Sequence, residues 1–381
     1  MKTTIWVVFM VVLAGAVFCF ANLKTSKTEV VQKPLESPAI QPTTKVCQPE
    51  PTAEKKSDIL SDIRKARRML EKKDSGYQIQ EKKKKGNWTV KDFRVLLAVR
   101  HADGQIKIVS VDPKTKQTDQ SGYIVDWNKQ NGVNTCFSVI HPKNCAVLAI
   151  KRVVKDDKEA FKEVIYTPYS PTIDCGELRN AGLSYLKKTI KTANAQLRNV
   201  KSQTNPDLSV NQTSSEKMAL VLAVIEHIDP DRLEQGESIE SLTNEVLVIL
   251  GANQPSAFNY AVSKAKARGL FQFIPGTYAR IRNQYPEANL HKDFANGMCN
   301  HINAAKAAFL LFDSDLNYLN QNVLLQKDKI GTYLASAYNC GARRTAKEVK
   351  SHKKLWEHKL PMETRLYLKK FSAVWNSFIG A

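Results

Sequence analysis

The chain has 381 residues, 43% of them hydrophobic and 25% charged, which excludes a disordered protein and leaves apolar material for more than one core. Lys and Arg outnumber Asp and Glu by 57 to 37, a formal net charge of +20. Such a balance draws a protein to anionic polymers or surfaces, without choosing among nucleic acid, lipid headgroups and cell wall.

Met1 and Lys2 precede an apolar run over residues 5–21 with the build of a signal peptide or membrane anchor, so export is expected, by cleavage or with retention in the inner membrane. Cys19 invites a lipoprotein reading, but bulky Phe18 stands where a lipobox wants a small residue. Residues 22–51, rich in Pro, Thr, Lys and Gln, read as an extended tether. From Ile59 to Lys85 an apolar series (Ile63, Ala66, Met69, Leu70) recurs at helical spacing among many cations, ending in Lys82-Lys83-Lys84-Lys85. This is expected to be a solvated charged helix, with contact to an anionic membrane surface or to the wall as the sharper alternative. Residues 22–87 thus form a tether and basic helical linker.

The pattern then changes to short β-branched runs: Phe93 to Val99, Ile106 to Val111, Tyr123 to Trp127, Cys136 to Ile140 and Ala146 to Val154. Asp103-Gly104 between the first two is a hairpin signal. With a helical stretch from Glu177 to Val200 these make a small β-rich domain, residues 88–205. It holds no catalytic constellation and serves as spacing or as a surface for a protein partner or glycan. Six of the seven cysteines lie beyond the leader, and Cys136 and Cys145 are the nearest candidates for a disulfide. No C-x-x-C or Cys/His spacing suggests a metal site, and no metal is expected.

After a polar, turn-rich boundary at Ser202 to Ser215, residues 214–381 read as mostly helical. Met218 to Ile225 is apolar on every face, as in a helix at the centre of a core, and Glu226 ends it. A carboxyl there is partly desolvated and lies near the negative end of a helix dipole; both effects raise its pKa toward that of a general acid. The bland alternative is a Glu that turns to solvent. Downstream, Glu234, Glu237, Glu240 and Glu245 belong to an acidic segment whose β-branched end, Glu245 to Leu250, reads as a strand or short hairpin.

Three blocks follow in order. Ser256-Ala257-Phe258-Asn259 leads into Gly269-Leu270-Phe271-Gln272-Phe273-Ile274-Pro275-Gly276-Thr277; Ala337-Tyr338-Asn339-Cys340-Gly341 comes next; Leu360-Pro361-Met362-Glu363-Thr364-Arg365-Leu366-Tyr367 closes the series. Together they resemble the soluble lytic transglycosylase family, whose core fold is shared with goose-type lysozyme and whose blocks read Gly-Leu-Met-Gln, Ala-Tyr-Asn-Ala-Gly and Pro-x-Glu-Thr-x-x-Tyr. Phe271 replaces the family's Met. The family places its Glu directly before a Ser just upstream of the Phe-Asn turn; here Pro255 stands at that point. Glu226, followed by His227 and separated from the turn by an insertion, is the remaining candidate.

The resemblance implies an α+β protein whose C-terminal domain is helical and lysozyme-like. It implies Glu226 as acid/base, Phe271 and Gln272 lining a glycan groove, Tyr338 and Asn339 beside the scissile bond, and Glu363 supporting that wall. The implied reaction cleaves the β-1,4 bond between N-acetylmuramic acid and N-acetylglucosamine of peptidoglycan without a cofactor, leaving a 1,6-anhydromuramic end. A lysozyme-like hydrolysis, with Asp229 or Asp231 as second carboxylate, is the enzymatic alternative. A non-catalytic peptidoglycan-binding or scaffold protein is the other. Peptidoglycan strands are the expected partner and the bacterial periplasm or envelope the expected location. No nucleic-acid module is recognisable.

Overall fold

A computed structural model describes residues 58–76, 78–82, 87–91, 94–128, 136–155 and 161–377. The expected leader and tether and Lys83 to Lys85 lie outside the described residues. No helix among them is long and apolar enough to cross a membrane.

Helix α1 (Ile59–Glu71) begins where the Asp58 carboxylate accepts from the Ser61 N–H at 3.0 Å, an N-cap that satisfies one orphan donor. Its buried Ile59, Ile63, Ala66 and Leu70 form one stripe that shares a core with Leu96, Ala98 and Leu148 of a β-sheet. The expectation of a solvated charged helix is therefore corrected: Arg64, Lys65 and Arg68 are exposed, but the apolar stripe docks and Arg67 donates to the Ile165 and Ala252 carbonyls at 3.1 and 3.3 Å. The helix stops at Glu71 instead of Lys85 because β1 (Gln78–Lys82) follows, pairing antiparallel with β2 (Asn87–Lys91).

Next come β3 (Val95–Arg100), β4 (Ile106–Val111), β5 (Ile124–Asn128), β6 (Cys136–His141), β7 (Ala146–Lys155) and β8 (Phe161–Tyr166). The β-branched runs named above correspond to β3 through β7, and the Asp103-Gly104 hairpin joins β3 to β4, with the Gly104 N–H on the His101 carbonyl at 3.0 Å. The main sheet is antiparallel in the order β4-β3-β7-β8, while β5 and β6 pair separately. β3 is apolar without alternation because both faces are covered: Leu96 and Ala98 meet α1, whereas Val95, Leu97 and Val99 enter the larger core. The candidate disulfide is not formed. Cys136 sits on β6, which pairs with β5, while Cys145 turns inward with its Sγ 3.7 Å from His101 Nδ1, and both thiols are free.

The rest is helical: α2 (Gly176–Ala195), α3 (Val210–Thr213), α4 (Glu216–Ile225), α5 (Pro230–Glu234), α6 (Ile239–Asn253), α7 (Pro275–Gln284), α8 (Phe294–Cys299), α9 (His301–Asn322), α10 (Ile330–Cys340), α11 (Ala342–His352) and α12 (Met362–Ser377). The protein is thus α+β, with a small sheet region preceding a helical one. The expected strand at Glu245 to Leu250 is instead the middle of α6, capped at Ser238, whose side chain accepts from the Ser241 N–H at 3.0 Å. β-branched residues favour strands only weakly, and here burial along Val246 to Asn253 decides. α6 crosses α2 at backbone contact: a Cβ on Gly182 would lie 2.0 Å from the Leu247 carbonyl oxygen, and one on Gly251 2.1 Å from that of Leu178. The polar stretch after α2 is anchored to α9, since buried Asp313 accepts from the Ser202 hydroxyl, from the Gln203 N–H at 2.6 Å and from the Tyr285 hydroxyl at 2.8 Å.

Candidate active site

α4 delivers Glu226. The Ser215 side chain caps its start, accepting from the Met218 N–H at 3.2 Å, and Met218 to Ile225 are all buried, so the helix runs through the core and releases its first polar side chain at the far end. Glu226 is half-buried there. α12 meets it from the other side. Tyr367, itself buried, donates its hydroxyl to Glu226 Oε1 at 2.5 Å, and one turn later buried Lys370 donates from Nζ to the carbonyls of Ile225 and Ile228 at 2.9 and 3.0 Å. The Ile225 carbonyl ends α4 and that of Ile228 lies in the turn beyond it, and a cation at a helix C-terminus meets the favourable end of the dipole.

Loss of water around the carboxyl raises the Glu226 pKa to about 7, against the opposing pull of the Tyr367 hydrogen bond and the Lys370 charge, with Glu363 adding to the rise. Burial and the nearby Glu226 hold the Tyr367 and Tyr338 phenols well above their ordinary range, so both stay protonated donors. Lys370 is lowered by burial and raised again by Glu226. The result is one carboxyl poised near neutrality between two phenols and a buried cation.

His227 occupies the position after the acid. Its ring stacks on Phe258 at 3.5 Å between centroids, its Nε2 lies 3.1 Å from the Leu270 carbonyl, and burial depresses its pKa to about 3. It is a neutral imidazole with Nε2 as donor. Its work is to fasten the end of α4 to the loop carrying the first sequence block. In that loop Phe258 and Gln272 hold positive φ values of 60° and 45°, a left-handed backbone that is uncommon for side chains of this size. Gly269 also has positive φ, and a Cβ there would lie 2.4 Å from the Met298 carbonyl oxygen.

The side chains named from the sequence separate as follows. Tyr338, at the end of α10, is half-buried, donates to the Phe271 carbonyl at 2.5 Å and lies edge-on to Phe273. Asn339 accepts from the Thr364 hydroxyl at 2.7 Å, which ties the end of α10 to α12. Glu363 is exposed on α12 and its charge reaches Glu226. Gln272 is half-buried, with Nε2 on the Gly269 carbonyl at 2.9 Å. Phe271 differs from the expectation: its side chain is fully buried and presents no surface to a ligand, and only its carbonyl faces the site, through Tyr338. The loop reverses at Gly269 and Gln272, which turns the ring inward.

Three other carboxylates are engaged elsewhere. Arg232 binds Glu237 at 2.7 Å and Glu245 at 2.8 Å, and Asp229 caps α5 by accepting from the Asp231 N–H at 2.9 Å. Tyr367 closes the third sequence block, and Lys370 lies three residues beyond it. Residues 363, 367 and 370 recur at helical spacing, the signal that would have found both. Buried Asp315 on α9 is a further group missed: desolvation lifts its pKa to about 7, its charge reaches Tyr338, and Arg280 stands 3.9 Å away. Among the described residues no group of His, Cys, Asp and Glu could hold a metal ion.

The helical region thus brings a neutral-range carboxyl, Glu226, beside the Tyr367 phenol and the Lys370 ammonium. Residues 235–360, about a third of the chain, match the family model described as the transglycosylase SLT domain. No curated protein and no solved structure matches the chain. The matched span begins after Glu226 and ends before Glu363 and Tyr367. Those residues are joined to it by the folded geometry.

Proposed function

We propose that the protein cleaves the β-1,4 bond between N-acetylmuramic acid and N-acetylglucosamine of peptidoglycan by transglycosylation, with Glu226 as the single acid/base. The observation that carries this reading is the Glu226 carboxyl, held near pKa 7 by burial and fixed by the Tyr367 hydroxyl. Protonated, Glu226 gives its proton to the bridging oxygen as the bond to C1 breaks. As carboxylate it then accepts the proton of the muramic C6 hydroxyl, which attacks C1 of its own ring and closes the 1,6-anhydro bridge. Tyr367 stabilises the carboxylate between the two transfers. The intramolecular nucleophile gains from its high effective concentration and needs no bound water.

Hydrolysis is the alternative outcome at the same site, and it needs a second carboxylate across the bond. The carboxylate nearest in sequence, Asp229, is occupied as the cap of α5. The substrate lies outside the cytoplasm, which agrees with the expected export. Borohydride reduction of products from purified sacculi distinguishes the two reactions. Transglycosylation yields anhydro ends that borohydride leaves unchanged; reducible muramic ends would instead assign hydrolysis.

A further inference from the structure

Along α2 and the head of α9 lies a concave surface, to which none of Glu226, Gln272, Tyr338, Asn339 or Tyr367 contributes. Its largest part, a cavity of about 870 Å3, is bounded by Tyr185 and Lys188 of α2, by Ser256 and Asn259 of the loop after α6, and by Asn300 and His301 where α9 begins. Lys188 and Thr192 also line an adjoining cavity of about 610 Å3 that reaches Lys191 and Arg198. Gln196 joins that one to a third of about 270 Å3, which returns to Asn300. The three are one trough. Residues 181–195 of α2 run along it for roughly 20 Å at the helical rise, the length of a short oligosaccharide.

Its chemistry is selective. In a chain with 37 acidic residues, no Asp or Glu is among the described residues that line the trough, while Lys188, Lys191 and Arg198 are exposed in it. The remaining polar lining is mostly amide and hydroxyl. The floor is rigid. Buried His301 joins the Tyr185 hydroxyl and the Ala257 carbonyl, each at 2.8 Å, which locks α2, α9 and the loop after α6 together. A pre-formed surface of this kind loses little freedom when a ligand binds.

We propose that this trough is a second, non-catalytic site that holds an anionic, amide-bearing glycan, namely a strand of the same wall polymer that Glu226 cleaves. The proposal rests on that reading of the substrate. Lactyl and peptide carboxylates on the strand meet Lys188, Lys191 and Arg198, while hydroxyl and acetamido groups meet the Asn and Ser side chains. Single-stranded nucleic acid fits less well, because such sites stack bases on several aromatic rings and the trough offers one tyrosine, with its hydroxyl tied to His301.

The test uses the full chain in two assays: co-sedimentation with purified sacculi, which reads strand retention, and cleavage of a soluble muropeptide tetrasaccharide, which reads the Glu226 site. One variant combines Lys188→Glu, Lys191→Glu and Arg198→Glu. A second, Asn300→Asp, introduces a carboxylate into the trough and preserves the cap of α9, since Asn300 already accepts from the Asn303 N–H through its side-chain oxygen. Affinity for sacculi is expected to fall about tenfold for the triple variant and about threefold for Asn300→Asp, with tetrasaccharide cleavage unchanged. Both variants sedimenting like the wild type would overturn the proposal, as would trough-dependent binding of single-stranded DNA with no retention by sacculi. Trough-dependent sedimentation without any tetrasaccharide cleavage would uphold the trough and remove the catalytic reading.

Discussion

Glu226 is near half-protonation at neutral pH because burial of its carboxyl outweighs one hydrogen bond and one nearby cation. An acid must carry its proton to act, so glycan cleavage is expected to decline as pH rises through about 7. The Tyr367 hydrogen bond favours the carboxylate and so lowers this pKa. Tyr367→Phe is therefore expected to shift the declining limb to higher pH while slowing cleavage at pH 6 by about tenfold, measured as a pH–rate profile. A limb that stays in place would show that Tyr367 does not tune the acid. That Glu226 ends a buried helix was legible because the run before it is apolar on all faces, and Tyr338 and Asn339 stood out because their block has a recognisable order. The burial of the Phe271 ring was not legible, since it depends on left-handed backbone at Gln272 that composition does not reveal.

The α2–α6 crossing is the element-scale feature that sets where the first sequence block lies, because that block begins directly after α6. Gly182→Ala would drive a methyl into the Leu247 carbonyl and is expected to cost on the order of 3 kcal/mol in urea unfolding. Gly276→Ala, at a position where an added Cβ meets nothing within 4 Å, is expected to stay within about 1 kcal/mol of the wild type. Equal effects of the two would contradict the close crossing. Helices with one clean stripe or a fully apolar run, such as α1 and α4, were legible from periodicity. α6 was not: Val246, Val248 and Ile249 carry strand preference locally, and only the partners that bury the helix decide otherwise.

Across the whole molecule, the order of a small sheet region followed by a helical region was legible from the change in hydrophobic pattern. The extent of their joining was not. Leu178 of α2 and Val248 and Ala252 of α6 share one core with α1 and β3, and Asn253 bonds both the N–H and the carbonyl of Thr167 after β8, at 2.8 and 2.7 Å. Such contacts link positions far apart in the chain, which no local pattern encodes. Residues 214–381 expressed alone are therefore expected to lack a cooperative thermal transition by circular dichroism, because α6 loses α2 and the sheet-side core; a sharp melt with full helicity would contradict that integration. The central claim, that Glu226 is the acid of a wall-cleaving site, is tested most directly by mass spectrometry of soluble muropeptides released from purified sacculi by the wild type and by Glu226→Gln at pH 6. The account predicts anhydromuramic products from the wild type and about a thousandfold slower release by the variant. Release by Glu226→Gln at a rate near that of the wild type would contradict it.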